Sequence, residues 1–198
     1  MGNRKNIYFD SCCFIDLVKI GRGIAFSADE VVHQRRQEDC WFLSKLCDAS
    51  RDGVLRIVTS MLAVVECTHV GDGSAADMEI KRKFEAFLTS GVVVDLVEPD
   101  LFVMEKARSL RWDHGLPLKP IDAVHVATSI LHECVEFITT DKAIHAQGSR
   151  FNKSLPGIKK LGVHVIRGSQ TSLLPGEYRM DDLLKPPLTK MRGENEPE

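Results

Sequence analysis

The stretch IYFDSCCFIDL at residues 7–17 decides the fold class, because a short strand signal leads directly into an acidic residue. Ile7, Tyr8 and Phe9 are the residue types of a buried β-strand. Asp10 follows at once, and a carboxylate at the end of a buried strand is costly unless it caps a helix or meets a positive charge. The stretch alone leaves both roles open for Asp10.

Four more β-branched runs follow along the chain. They are VLRIVT at 54–59, VVVDLV at 92–97, VEFITT at 135–140 and GVHVI at 162–166. Amphipathic helical patterns lie between them, at residues 28–50, 77–90 and 121–134. This alternation of strands and helices predicts an α/β fold with three layers, α/β/α, around a mainly parallel central sheet.

The composition is that of an ordinary globular protein. The 198 residues are 43% hydrophobic and carry a net charge of −2, so the chain can bury a sizeable core and its overall charge does not indicate a nucleic-acid partner. We expect no membrane association, because no apolar run reaches the length of a membrane span and the N-terminus lacks a secretory signal. The six scattered cysteines favour buried free thiols in a reducing cytoplasm.

Four acidic residues are predicted to meet at one edge of the sheet. Asp10 and Asp141 each follow a strand, and the carboxyl ends of parallel strands share one edge. Glu66 lies about two turns into the helix after the second strand, and Asp122 lies in the first turn of a helix that Pro120 begins. Clustered carboxylates repel one another unless a cation neutralises them, and they suit Mg²⁺ or Mn²⁺. An ion of this kind can support phosphodiester hydrolysis.

Each of these acids also has a purely structural interpretation. Asp10 and Asp141 are well placed to cap the helices that follow them. The helix dipole favours Asp122 in a first turn, and a surface ion pair would account for Glu66. The residues taken alone therefore leave a metal site and a set of structural acids both open.

Four segments carry a further signal through their order along the chain. They are IYFDSCCFIDL, TSMLAVVE, IDAVHVATS and FITTDKAI. Together they resemble the motif series of the PIN-domain nucleases, most closely the VapC-type toxin ribonucleases, over residues 6–167. The resemblance implies a PIN-like fold that binds one or two Mg²⁺ or Mn²⁺ ions. The residues that match the family's metal ligands are Asp10, Glu66, Asp122 and Asp141. The residues that match its hydroxyl positions beside them are Ser11 and Thr139.

The resemblance also implies a function. It indicates a metal-dependent endoribonuclease that hydrolyses RNA phosphodiester bonds, as a toxin-like component with an antitoxin-like protein partner and a homodimeric assembly. A catalytically silent PIN-like module that binds RNA or protein is the alternative. We predict a nuclease domain over residues 1–168. A Pro-rich C-terminal extension at 169–198 is predicted to wrap around that domain or to be partly disordered.

A basic segment follows the last of the four acids, since residues 142–176 contain no Asp or Glu. Such a segment beside an acidic metal site is suited to an RNA backbone, although a solvated surface is the alternative. Its candidate RNA-binding residues are Lys142, Arg150, Lys153, Lys159 and Lys160. Three other predictions concern single side chains: His125 is a polar neighbour of the site, Asp16 is a surface carboxylate, and Arg36 lies on an exposed helix face.

Overall fold

Five parallel strands form one sheet in the computed structural model, which describes residues 4–70 and 77–179. The strands are β1 (Asn6–Phe9), β2 (Arg56–Ser60), β3 (Val94–Val97), β4 (Cys134–Ile138) and β5 (His164–Ile166). Their order across the sheet is β3-β2-β1-β4-β5, and every neighbouring pair is parallel. β1 therefore lies at the centre, between β2 and β4.

Helices follow or separate all of these strands. They are α1 (Ser11–Ile20), α2 (Glu30–Arg51), α3 (Leu62–Glu66), α4 (Met78–Leu88), α5 (Leu101–Trp112), α6 (Pro120–Leu131), α7 (Lys142–His145), α8 (Arg150–Lys160) and α9 (Gly176–Arg179), with a 3₁₀ turn at Gly168–Gln170. None of the helices within residues 4–70 and 77–179 combines the length and the apolar character that crossing a membrane would require.

The sheet buries both faces. Successive residues of a strand point to opposite sides, so Ile7 and Phe9 pack with α1, α2 and α4 on one face. Tyr8 lies between them in sequence and packs with α5, α6 and α8 on the other face. The two cores make the three-layer α/β/α arrangement with a parallel sheet that the strand and helix patterns predict, and that prediction is confirmed.

Part of the C-terminal extension packs on the domain. The 3₁₀ turn contacts α2, and Leu174 is buried in the core below it. The hydroxyl of Tyr178 donates to Asp52 Oδ2 over 2.7 Å, close to the end of α2. Residues 169–179 therefore wrap around the domain, whereas the rest of the predicted extension, residues 180–198, lies outside the described residues.

The prediction that Asp16 is a surface carboxylate is wrong, and so is the exposed position predicted for Arg36. The side chains of Asp16 and Arg36 are only 2% and 15% exposed and form an ion pair between α1 and α2. The Nε atom of Arg36 donates to Asp16 Oδ2 over 3.1 Å. The two helices pack together, so these charged groups compensate each other inside the interface and not in solvent.

The cysteines support a prediction about thiol reactivity. All six lie in the described residues as free thiols; five are buried and Cys12 is partly exposed, as expected for a reduced protein. Burial raises the pKa of Cys47 and of Cys134 to about 12, which leaves little reactive thiolate at neutral pH. Iodoacetamide at pH 8 should therefore alkylate Cys12 first in the folded protein, and the other five only in denaturant. Peptide mass spectrometry measures this order, and a buried cysteine that reacts as fast as Cys12 would contradict the packing.

Candidate metal centre

The topology brings the elements that carry the four predicted ligands to one edge of the sheet. Asp10 directly follows β1 and Asp141 follows the neighbouring β4, so both lie at the carboxyl edge. The amide of Asp10 donates to the carbonyl of Ile138 over 3.0 Å, which ties these two strand ends together. Glu66 ends α3 just beyond β2. Asp122 lies in the first turn of α6, which then runs back to the start of β4.

Asp10 combines the two roles that its sequence position leaves open. Its Oδ1 atom accepts a hydrogen bond from the amide of Ser11 over 2.9 Å and so caps α1. Its Oδ2 atom accepts from the Thr139 hydroxyl over 2.7 Å and from the Cys12 thiol over 3.3 Å. One carboxylate oxygen is thus part of a helix cap, while the other is held against the end of β4.

Among the described residues, Glu66 is held by Ser11 and by the buried His125, and not by a surface cation. The hydroxyl of Ser11 donates to Glu66 Oε2 over 2.8 Å, and the Nε2 atom of His125 lies 2.8 Å from the same oxygen. Burial alone would raise the pKa of Glu66, but the hydrogen bond and charge of His125, together with the Ser11 hydroxyl, lower it below the usual range. Glu66 is therefore kept as a carboxylate, the form that a cation would bind.

His125 links this acid to the centre of the sheet. It is buried, as a polar neighbour of the site, and its Nδ1 atom lies 2.5 Å from the hydroxyl of Tyr8. That hydroxyl accepts a hydrogen bond from the amide of Ser60 at the end of β2. Burial opposes a positive charge on His125, yet the hydrogen bond to Glu66 and the nearby charge of Asp10 raise the pKa of His125 overall. The position predicted for His125 is confirmed.

Asp122 and Asp141 complete the acidic edge. Asp122 is half-buried, and burial followed by the charge of Asp10 raises the pKa of Asp122, with a smaller contribution from Asp141. Asp141 is exposed, and its amide donates to the Thr139 hydroxyl over 3.2 Å. The carboxylates of Asp10 and Asp141 are therefore close enough to Asp122 to act on it electrostatically.

The donor set fits a hard divalent ion in its chemistry, although the side chains are not gathered around one point. Within residues 4–70 and 77–179, no group of three or more His, Cys, Asp or Glu side chains is arranged to hold a metal ion. All four candidates nevertheless offer carboxylate oxygens, the ligands that Mg²⁺ and Mn²⁺ prefer. A positive charge at this edge would also relieve the repulsion that raises the pKa of Asp122.

A family model for the PIN domain matches residues 7–148, well over half of the chain. This chain belongs to the PIN-domain family. PIN domains are generally nucleases and typically use divalent metal ions. The matched range includes all four acids of the sheet edge and both of their hydroxyl neighbours, Ser11 and Thr139. No curated protein matches the sequence.

The five candidate RNA-binding residues of this PIN domain lie in two places. Lys142 directly follows Asp141. Helix α8 begins at Arg150 and returns to the start of β5, so Arg150 and Lys153 lie toward the carboxyl edge of the sheet. Lys159 and Lys160 lie at the opposite end of α8, roughly 9 Å along the helix axis from Lys153 at 1.5 Å per residue. All five side chains are exposed. The first three lie toward the sheet edge that carries the acids, and Lys159 and Lys160 lie toward the opposite edge.

Two side chains at the site are missing from the sequence-based prediction. In the sequence, Tyr8 fits the pattern of a buried strand residue, and nothing indicates that its hydroxyl contacts His125. Cys12 follows Asp10 by two residues and places its sulfur 3.2 Å from the Thr139 hydroxyl. In both of these contacts the two residues lie more than 100 positions apart in the chain, so local spacing carries no signal for them.

Proposed function

We propose that this PIN domain is a Mg²⁺- or Mn²⁺-dependent endoribonuclease of the VapC toxin type, acting in the cytoplasm. The observation that supports this most is the pairing of acids with hydroxyls from separate elements. Ser11 donates to Glu66 while Thr139 donates to Asp10, so two candidate ligands are oriented by side chains at the same sheet edge.

Each residue has a distinct role in the proposed reaction. The carboxylates that would hold the ion are those of Asp10, Glu66, Asp122 and Asp141. Ser11 and Thr139 orient two of them, and His125 keeps Glu66 ionised. A bound divalent ion supplies charge stabilisation for the phosphodiester and activates water. Lys142, which follows Asp141 directly, would attract the RNA backbone toward this edge.

A cleavage assay with a direct binding measurement tests the proposal. Purified protein should cleave RNA when Mn²⁺ is added and should stop when a chelator removes the ion. A DNA strand of the same sequence, assayed in parallel, measures the preference for RNA. A silent binding module would retain RNA without forming product, so binding without cleavage would favour that alternative.

The toxin role, its partner and its assembly are separate parts of the proposal. A toxin ribonuclease should arrest growth when it is expressed alone, and co-expression of an antitoxin-like protein should restore growth. Light scattering on the purified chain measures whether it forms the proposed homodimer. Normal growth despite confirmed ribonuclease activity would contradict the toxin role and leave the enzymatic proposal standing.

The position of α8 supports a prediction about RNA binding. Replacing Arg150 and Lys153 with Ala should weaken binding and flatten its salt dependence, by about 0.7 in the logarithmic slope for each phosphate that is no longer neutralised. Replacing Lys159 and Lys160 with Ala removes the same charge from the far end of the same helix and is the matched control. Titration of labelled RNA at several salt concentrations gives both slopes. Equal slopes for the two double variants would mean that RNA does not approach α8 from the acidic edge.

A further inference from the structure

The three residues that follow β4, Thr139, Thr140 and Asp141, form a short segment that we call the β4 exit. Thr139 bonds Asp10, as described above, and the amide of Asp141 bonds the Thr139 hydroxyl. The amide of Thr140 donates to Cys12 Sγ over 3.2 Å. The β4 exit is therefore attached to the first turn of α1 by its main chain as well as by Thr139. The Thr140 side chain takes no part in these contacts.

The Thr140 hydroxyl lies against the ion pair between α1 and α2. The Nη2 atom of Arg36 is 3.3 Å from Thr140 Oγ1, and the same atom is 2.5 Å from Asp16 Oδ2. Thr140 and Asp16 are almost entirely buried. A third contact limits the guanidinium further, because the Phe26 ring lies 5.4 Å from its central carbon. Arg36 is thus fixed by groups on three sides, one of which is the β4 exit.

Stability alone is a weak reason for this arrangement. Burial raises the pKa of Asp16 above its usual range, even though the charge of Arg36 and the hydroxyl of Thr140 oppose that shift. Buried ion pairs of this kind often stabilise a fold no more than well-packed apolar residues of the same volume. The ion pair holds the Arg36 guanidinium, a hydrogen-bond donor, in a fixed position beside Thr140. A planar guanidinium can bond Asp16 and Thr140 at once, and a single lysine ammonium is a poor substitute.

We propose that Arg36, held in place by Asp16, is a positioning residue for the metal centre, because it fixes the β4 exit that carries Asp141. The inference rests on the proposed function. Asp141 ends the β4 exit, so the path of this segment sets where its carboxylate lies before an ion binds. The contact at Thr140 lies one residue before Asp141 and supplies that support from α2. Groups that orient metal ligands commonly change metal affinity 10- to 100-fold when they are removed.

The first test uses the metal-free protein. Hydrogen exchange measured by NMR in chelator reports on the amides of Thr140 and Asp141, whose acceptors are Cys12 and Thr139. Arg36→Met leaves the buried Asp16 without its partner, so the exchange of the β1 and β2 amides measures the loss of global stability. The amides of Thr140 and Asp141 should be accelerated about tenfold or more beyond that common change. The matched control is Arg51→Met, which removes an exposed pair with Asp48 from the same helix. Unchanged exchange at Thr140 and Asp141 would overturn the proposal.

The second test measures Mn²⁺ binding by calorimetry. Thr140→Val removes only the hydroxyl and leaves the pair of Asp16 and Arg36 in place, so it keeps the test valid if Arg36→Met fails to fold. Both variants should bind Mn²⁺ about tenfold or more weakly. Thr140→Ser keeps the hydroxyl, so its Mn²⁺ affinity should lie within about threefold of wild type. If only the bulk of the side chain mattered, the Ser and Val variants would both bind Mn²⁺ more weakly.

The outcomes separate this inference from the function on which it rests. Wild-type protein that binds no Mn²⁺ would overturn the proposed function, and the positioning role would fall with it. Wild-type protein that binds Mn²⁺, with Arg36→Met and Thr140→Val binding equally well, would overturn only the role of Arg36. Weaker binding in those two variants, near-normal binding in Thr140→Ser and no change in Arg51→Met would together support the role of Arg36.

Discussion

Replacing Asp10 with Asn should lower the cleavage rate by about 100-fold or more while leaving the protein folded. Asn caps helices nearly as well as Asp, so the bond from the Ser11 amide to Oδ1 has an equivalent in the variant. The negative charge that would bind the ion is lost, and even groups that only orient a metal ligand cost 10- to 100-fold when removed. RNA cleavage with Mn²⁺ and thermal melting in chelator measure the two effects separately.

The matched control is Asp100→Asn. Asp100 caps α5 as Asp10 caps α1, with its Oδ1 atom 2.9 Å from the amide of Val103, but it makes no contact with the four acids among the hydrogen bonds of the described residues. The Asp100→Asn variant should therefore keep the melting temperature and the cleavage rate of the wild-type protein. Equal cleavage by the Asp10 and Asp100 variants would show that Asp10 is only a helix cap. Loss of folding in Asp10→Asn would show that its bond to Thr139 is structural.

The convergence of the four acid-bearing elements could be predicted because every signal for it is local. Asp10 directly follows a strand run, Asp141 follows another, and Pro120 marks the start of the helix with Asp122. A parallel sheet then brings these elements to one edge without further information. The distances between these side chains could not be predicted from the sequence. The hydroxyl of Ser11, for example, bonds Glu66, which lies 55 positions away in the chain.

Two helices, α5 and α8, are absent from the sequence-based prediction for physical reasons. Helix α5 exposes Leu101 and Phe102 in its first turn, so its apolar residues do not form a clean stripe. Helix α8 contains Pro156 and Gly157, residues that ordinarily interrupt a helix. Gly157 has a packing reason, because a Cβ atom there would lie 2.4 Å from the side chain of Leu116. Such reasons depend on neighbours that the sequence does not identify.

Buried charges were the hardest feature to predict. The sequence predicts Asp16 as a surface acid because nothing nearby in the chain indicates that it pairs with Arg36. The same applies to Asp39 within α2 and Glu136 within β4, both of which are almost completely buried. A buried carboxylate must find donors to compensate for lost hydration. Apart from Arg167, the donors of these two acids lie at the start of the C-terminal extension.

Residues 167–172 satisfy both of these carboxylates. The amide and hydroxyl of Ser169 donate to Asp39 Oδ1 over 3.0 and 2.7 Å, and Arg167 approaches the other oxygen. Ser172 donates to Glu136 Oε1 through its amide and its hydroxyl, and Thr171 donates to Oε2 over 2.6 Å. The matched family range ends at residue 148, well before these groups. The extension therefore completes the core of the PIN domain.

A chain that ends at Arg167 should consequently lose most of its stability relative to one that ends at Arg179. The shorter chain keeps Arg167 but loses five neutral donors to Asp39 and Glu136, those of Ser169, Thr171 and Ser172. Hydrogen bonds to charged groups contribute about 1.5–3 kcal/mol each, so their combined loss is comparable with the roughly 5–15 kcal/mol that hold an average domain together. Urea unfolding followed by circular dichroism compares the two chains. Equal unfolding midpoints would mean that water satisfies Asp39 and Glu136 as well as the extension does.

Point variants of the 198-residue chain test the same hydrogen bonds one at a time. Ser172→Ala removes one of the two Ser172 donors to Glu136 Oε1 and should lower the free energy of unfolding by about 1–3 kcal/mol, because a hydrogen bond to a charged and buried group is lost. Ser90→Ala is the control, since the hydroxyl of Ser90 is exposed and donates to an uncharged acceptor, the carbonyl of Ala86. Combining Ser172→Ala with Glu136→Gln should cost less than the sum of the single changes, because the neutral amide needs its donors less. Strict additivity would show that Ser172 stabilises the extension without acting through Glu136.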